Sequence, residues 1–343
     1  MSHTKPGPIC AMTNPPWSST PGPLGHRDSA DTTHPVFIPK QRSVQGAISM
    51  AEAGEIVLAD ARMVPTLSVV KVDEPKHAQG PGNRVPGVPP VSLSQKNLMV
   101  PFTNAPLRAI DVNQGDIGDC VLPAVLAAMA HTNIGRRKIR AMITINNNVT
   151  VRSKLMGKVF ISKGLVTVMF SGPNKGPAQI SRLLYREGNR LVYSTSRKKG
   201  AGWVSFIEKA YAVKLGKDYA KLRHINHLTV FRDLMGKSPD EIKLRRTEGA
   251  PLLLRKTGNL VKMLKDATRY PTIATTPKSA NKGSFNTPHG MNAGLMANHG
   301  VAVLGMHKKG KVNYVLLAIE GSVVAFKYSD FLKDIDNVVS VHP

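Results

Sequence analysis

Cysteine is nearly absent from this chain: Cys10 and Cys120 are the only two in 343 residues. Two cannot make a disulfide framework, and Cys10 lies in a segment with little to fold around, so a reducing intracellular compartment is the simplest reading. No apolar run approaches the roughly 20 residues that span a bilayer, which excludes a helical membrane protein. The opening Met1 to Thr20 is polar and Pro-rich and lacks the apolar centre of a secretory signal. Aromatic residues are only 5% of the chain, and no zinc-finger or RNA-recognition signature occurs, so base-specific nucleic-acid recognition has no support. Acidic residues are scarce as well, with 22 Asp+Glu against 47 Lys+Arg and a formal net charge of +25.

What is present divides near residue 100. The first hundred residues hold 14 of the 25 prolines and a net charge of only +2, so nearly all the positive excess lies downstream. Residues 1 to 50 alternate Pro, Ser, Thr, Gly and His, and cannot bury enough surface to offset the entropy of ordering. They read as a flexible tail. A short strand or helix could form within Ala53 to Val72, around Glu55-Ile-Val-Leu or Leu67-Ser-Val-Val, before Gly80-Pro-Gly and Gly87-Val-Pro-Pro break the chain. Residues 1–100 are therefore expected to be a largely disordered extension.

From Pro101 the texture changes. Leu122, Leu126 and Met129 recur at helical spacing from a start near Asp119 or Cys120, with Pro123 tolerable in the first turn. Trp203, Phe206, Ile207, Ala210 and Tyr211 mark a second amphipathic helix, and Val261 to Ala267 a third. Val301-Ala-Val-Leu and Tyr314-Val-Leu-Leu-Ala-Ile then read as buried strands joined by a turn at His307 to Lys311. Helices first and strands later suggest an α+β fold of two lobes, a helical one over 101–228 and a β-rich one over 229–343.

Gln114-Gly115-Asp116-Ile117-Gly118-Asp119-Cys120 carries the chemistry. A thiol at a helix N-terminus meets the positive end of the macrodipole, which favours the thiolate. The Gln114 amide, six residues upstream, could curl back as an oxyanion donor. A lone cysteine read without further context is more often a small buried hydrophobe.

These seven residues match the Gln-Gly-x-Leu-Gly-Asp-Cys signature of the calpain family of papain-like cysteine proteases, with Ile117 for Leu. Gly202-Trp-Val-Ser-Phe-Ile-Glu-Lys-Ala-Tyr211 resembles the family helix that packs behind the nucleophile. Gly294-Leu-Met-Ala-Asn-His-Gly-Val-Ala-Val-Leu-Gly305 is similar to the segment bearing its histidine, and Phe326-Lys-Tyr-Ser-Asp-Phe-Leu-Lys-Asp334 more loosely to a closing element. The resemblance implies a papain-like core over about 101–343 that hydrolyses peptide bonds in protein substrates. It makes Cys120 the nucleophile, His299 the general base, and Gln114 with the Cys120 backbone N–H the oxyanion hole.

The sequence departs from the family at three points. Val121 stands where the family has Trp, and no Asn-Pro-Trp follows the histidine strand. Aligning that strand by its apolar run puts Glu320 at the place of the family Asn, where a carboxylate could orient the imidazole; a solvated Glu at a turn is the alternative, and Asn313 is a weaker candidate. Calcium is not expected, because the hard cation needs about six to eight oxygen ligands and the 15 acidic residues past position 100 form no cluster of that kind. His224-Ile-Asn-His227 lacks partner cysteines, so zinc is not expected either. The basic runs, Arg136-Arg-Lys-Ile-Arg140, Arg197-Lys-Lys199, Lys214 to Arg223 and Arg245-Arg246, would attract nucleic-acid backbones without reading sequence. A basic nucleic-acid-associated structural protein, or a catalytically weakened relative with the protease fold, is the competing reading.

Overall fold

The computed structural model describes residues 69–76, 92–94, 100–155, 158–172, 175–187, 190–198, 200–244, 254–277, 295–319 and 321–342. The tail expected over residues 1 to 50, with Cys10, lies outside the described residues, as do Glu55, Arg245 and Arg246. The fold begins upstream of residue 101. Strand β1 (Val69–Asp73) pairs parallel to β2 (Ile143–Leu155), and Glu74 just after it is buried in an ion pair with Lys209. Lys209 also donates to the carbonyls of Ser181 (3.2 Å) and Leu183 (2.7 Å). A buried charge is tolerated only when paired and hydrogen-bonded, so this short segment is part of the core rather than of an extension.

Helix α1 (Val121–His131) starts directly after Cys120 and is buried from Leu122 to Ala130. It runs through the centre of the molecule, which is why its sequence is apolar on every side. Thr132 ends it and caps α2 (Asn133–Met142), accepting the Gly135 N–H at 3.1 Å. The next segment corrects the expectation of a mainly helical region over 101–228. β2 and β3 (Lys158–Phe170) form a long hairpin, extended by β4 (Gly176–Ser181) and by β1 into a sheet of order β1-β2-β3-β4. Val149, Val151 and Ser153 point inward while Arg152 and Lys154 are exposed, an alternation that the basic residues disguise as a charged run.

Helix α3 (Trp203–Lys214) buries Trp203, Phe206, Ile207, Ala210 and Tyr211 as expected. It buries Glu208 and Lys209 as well, so both need partners inside the protein. After α4 (His227–Met235) comes β5 (Asp240–Lys243), then α5 (Leu254–Asp266), β6 (Thr272–Thr275), β7 (Gly300–Lys309), β8 (Val312–Ile319), β9 (Ser322–Lys327), α6 (Tyr328–Asp334) and β10 (Asn337–Ser340). The strands form one antiparallel sheet of order β5-β10-β6-β7-β8-β9. The β7–β8 turn is tighter than the sequence suggests, closing at Gly310 (φ 61°) and Lys311.

Two apolar cores lie on either side of this sheet. Ile273, Ala302, Leu304 and Val339 join the core built on α1 and α3, while Ala274, Val301, Val303 and Val338 join the one under α5 and α6. Period-two alternation feeds both faces, which explains the unbroken run Val301-Ala-Val-Leu304. No helix among the described residues is long and apolar enough to cross a membrane.

Candidate active site

Two element starts meet at the site. Cys120 immediately precedes α1, and His299 immediately precedes β7. Gly300 sits on the first turn of the helix: a Cβ there would lie 3.4 Å from Val121 Cα and 3.5 Å from the Cys120 carbonyl oxygen. Asn298 adopts a left-handed conformation (φ 53°), a geometry that Asn tolerates better than most residues. Its N–H donates to the Pro277 carbonyl at 2.7 Å, and its own carbonyl oxygen lies 4.0 Å from Cys120 Sγ. Residues 178 positions apart in sequence are thus brought together, the thiol against the backbone that carries the histidine.

Thr276, which stands in no sequence motif, fixes that backbone. Its Oγ1 accepts the His299 N–H at 2.8 Å and donates to the Met296 carbonyl at 2.7 Å, and its N–H donates to the His299 carbonyl at 2.9 Å. The His299 Nδ1 is buried with no hydrogen-bond partner among the described residues. Burial disfavours the imidazolium and lowers the pKa to about 4, so the ring is neutral at physiological pH.

The Gln114–Cys120 loop is fastened from several sides. Gln114 Nε2 donates to the Ile117 carbonyl at 2.8 Å, which holds the amide within the loop. Gly115 passes so close to the backbone of Tyr193 that a Cβ would overlap it, at 2.4 Å from Tyr193 Cα. Asp116 donates its N–H to Val192 (2.9 Å) and takes both Arg190 end nitrogens on its carboxylate, at 2.6 and 2.7 Å.

Behind the thiol sit two buried carboxyls that sequence reading passed over, Asp119 and Glu208 of α3. The Ser194 N–H donates to Glu208 Oε2 at 2.8 Å, while neither Asp119 oxygen has a partner among the described residues unless one of the two carboxyls is protonated. Burial pushes Asp119 up to about 7. Burial, and then the neighbouring Asp119 charge, push Glu208 well above the usual carboxylate range. Two carboxyls so placed do not both ionise at neutral pH.

Glu320 lies outside the described residues. β8 ends one residue before it, at Ile319, and the pairing of Ala318 with Ala302 brings that end beside the start of β7. Gly321 takes a left-handed φ of 79° that favours glycine, and the Arg197 guanidinium packs over it. Asn313 pairs with Lys308 at the opposite end of β7. At about 3.3 Å per residue it is more than about 20 Å from His299 and cannot orient the imidazole. His227 bonds Glu241 at 3.0 Å. Among the described residues no group of three or more His, Cys, Asp or Glu is placed to hold a metal ion.

A search of the curated proteins finds no match to this chain. The family model described as calpain family cysteine protease matches residues 90–320, a span that holds Gln114, Cys120, the α3 helix and His299. With two thirds of its length inside that match, the chain belongs to the calpain family of cysteine proteases.

Proposed function

We propose that the chain is a papain-like, two-lobed endopeptidase that cleaves protein substrates with Cys120 as nucleophile and His299 as base. The observation that carries this is the seating of Cys120, at the N-terminus of α1, against the Asn298–Gly300 backbone. His299 takes the thiol proton as sulfur attacks the scissile carbonyl, then gives it to the departing amine, leaving a thioester that water hydrolyses by the same route in reverse. Gln114 gives one amide hydrogen to Ile117. Its second is assigned to the oxyanion, together with the Cys120 N–H, where pre-aimed donors stabilise charge that develops only in the transition state. No step needs calcium.

The test is labelling with an epoxide-type thiol-protease inhibitor, with and without a calcium chelator, followed by peptide mapping. Modification of Cys120 at equal rates in both is the expected result. An unlabelled Cys120 in a folded chain that cleaves no peptide would make this a catalytically weakened relative.

Glu320 is assigned the orienting role because an imidazole whose Nδ1 is buried needs a counter-charge when it becomes imidazolium, and β8 ends beside the start of β7. Glu320→Ala is expected to lower kcat by about 10- to 100-fold, since a hydrogen bond to a charged group contributes roughly 1.5–3 kcal/mol. Glu320→Gln should lose less, because an amide still holds one tautomer. Steady-state kinetics decide it: wild-type turnover in both variants makes the residue a bystander.

A further inference from the structure

A cleft of about 350 Å³ lies where α2 and the end of α4 meet the end of the large sheet. That volume is within the range of small-ligand sites. Arg137 and Lys138 of α2 and Lys237 beyond α4 supply its charge, and Met235, Tyr270 and His342 much of its apolar wall. The Tyr270 and His342 rings pack at 4.7 Å between centroids with a 60° tilt. No carboxylate lines the cleft, and none of the three cations makes an ion pair among the described residues. Like charges gathered around one concavity repel, and a multiply charged anion relieves them. The rest of the basic run is engaged elsewhere: Arg136 donates to the carbonyls of Ala130 and His131 that end α1, and Arg140 lies 5.1 Å from the Phe102 ring centroid.

We infer that this cleft binds a phosphorylated nucleoside, its base on the Tyr270 and His342 rings and its phosphates on Arg137, Lys138 and Lys237. The source is a free nucleotide or an unstacked nucleotide of a single strand. This goes beyond nonspecific attraction to a basic surface, because an aromatic wall and an unneutralised cationic rim share one concavity. It is independent of the protease chemistry. α1 is 11 residues long and separates the cleft end from Cys120 by about 16 Å. β6 and β10 run from the cleft toward Thr276, which holds His299.

Calorimetric titration of the full chain at near-physiological salt tests it, using ATP, inorganic tripolyphosphate and adenosine. ATP should bind about tenfold or more tighter than tripolyphosphate, since a base stacked on an aromatic ring contributes about that factor, and adenosine should bind more weakly than ATP. Arg137→Glu with Lys237→Glu should weaken ATP about tenfold or more, while the same charge change at exposed Arg152 and Lys154 on β2 should not. Tyr270→Ala should bring ATP down to the affinity of tripolyphosphate without moving the latter. A 5′-phosphorylated oligothymidylate binding more tightly than ATP, with the same dependence on Arg137, Lys237 and Tyr270, identifies the polymer as the source; the reverse order identifies the free nucleotide. Equal binding of ATP and tripolyphosphate, or equal losses from the two charge reversals, would overturn the inference and leave only a diffuse positive field.

Discussion

Replacing either Cys120 or His299 by Ala is expected to lower kcat/KM for peptide cleavage by on the order of 10⁴ to 10⁶, and replacing both should cost no more than replacing one. Thiol and imidazole act as a unit: without the base the sulfur is mostly protonated, and without the sulfur the base has nothing to activate. Neither change should unfold the chain. Cys120 makes no side-chain cap for α1, and removing His299 deletes a buried nitrogen that has no partner among the described residues. His299→Ala carries a second signature. With a folded pKa of about 4 against the ordinary 6.5, the folded state resists a proton that the unfolded state accepts, so wild-type stability is lost as pH falls from about 6.5 through 4. That slope should disappear in His299→Ala. Peptide kinetics and thermal melts at stepped pH measure both effects, and a single variant that cleaves like the wild type would remove its residue from the chemistry.

Elements whose burial follows one periodicity were legible in the sequence, and those held by polar partners were not. α1 and α3 announce themselves through apolar spacing, and the β7–β8 hairpin through continuous apolar runs that the sheet needs because a core lies on each face. The β2–β3 hairpin alternates as well, but its outward Arg152 and Lys154 resemble an unstructured basic run. β1 was legible only as a possible short strand around Leu67-Ser-Val-Val amid Pro-rich flanks, while the contact that makes it structural, Glu74 with Lys209, spans 135 positions and leaves no local pattern. The site divides in the same way. Gln114, Cys120 and His299 stand in motifs. Thr276 is an isolated threonine whose role exists only once β6 lies beside β7. Asp119 and Glu208 lie inside the recognisable motifs, yet sequence alone does not reveal that they are neighbours in the buried interior.

That carboxyl pair sets the second large effect, a loss of stability with rising pH that Glu208→Gln should suppress. Unfolded, both groups ionise near their ordinary values of about 4. Folded, Asp119 holds its proton up to about 7 and Glu208 holds one well above the usual range, because burial penalises each charge and each charge penalises the other. The folded state therefore binds more protons than the unfolded state, and stability falls as pH rises through that interval, at up to about 1.4 kcal/mol per pH unit for each group. Below about 6.5 the opposite slope from His299 masks part of this; above it the pair acts unopposed. Tyr219, stacked on Tyr193 at 3.5 Å, is held in its neutral form by burial and then by the nearby Glu208, so it adds no further negative charge beside the pair. In Glu208→Gln the amide oxygen can still accept the Ser194 N–H, and its NH₂ can donate to Asp119, which then ionises with a bonded partner. At pH 8.5 the variant should exceed the wild type by about 1–3 kcal/mol, roughly 3–10 °C in Tm, with the gap closing as pH falls towards about 4, where both carboxyls are protonated folded or unfolded. Melting curves that run parallel across that range would show that the two carboxyls do not share a proton. A divergence that widens as pH rises from about 4 would place a titrating pair directly beneath the turn whose Asp119 carbonyl accepts the Leu122 N–H at 2.9 Å and so sets the start of the helix that carries the thiol.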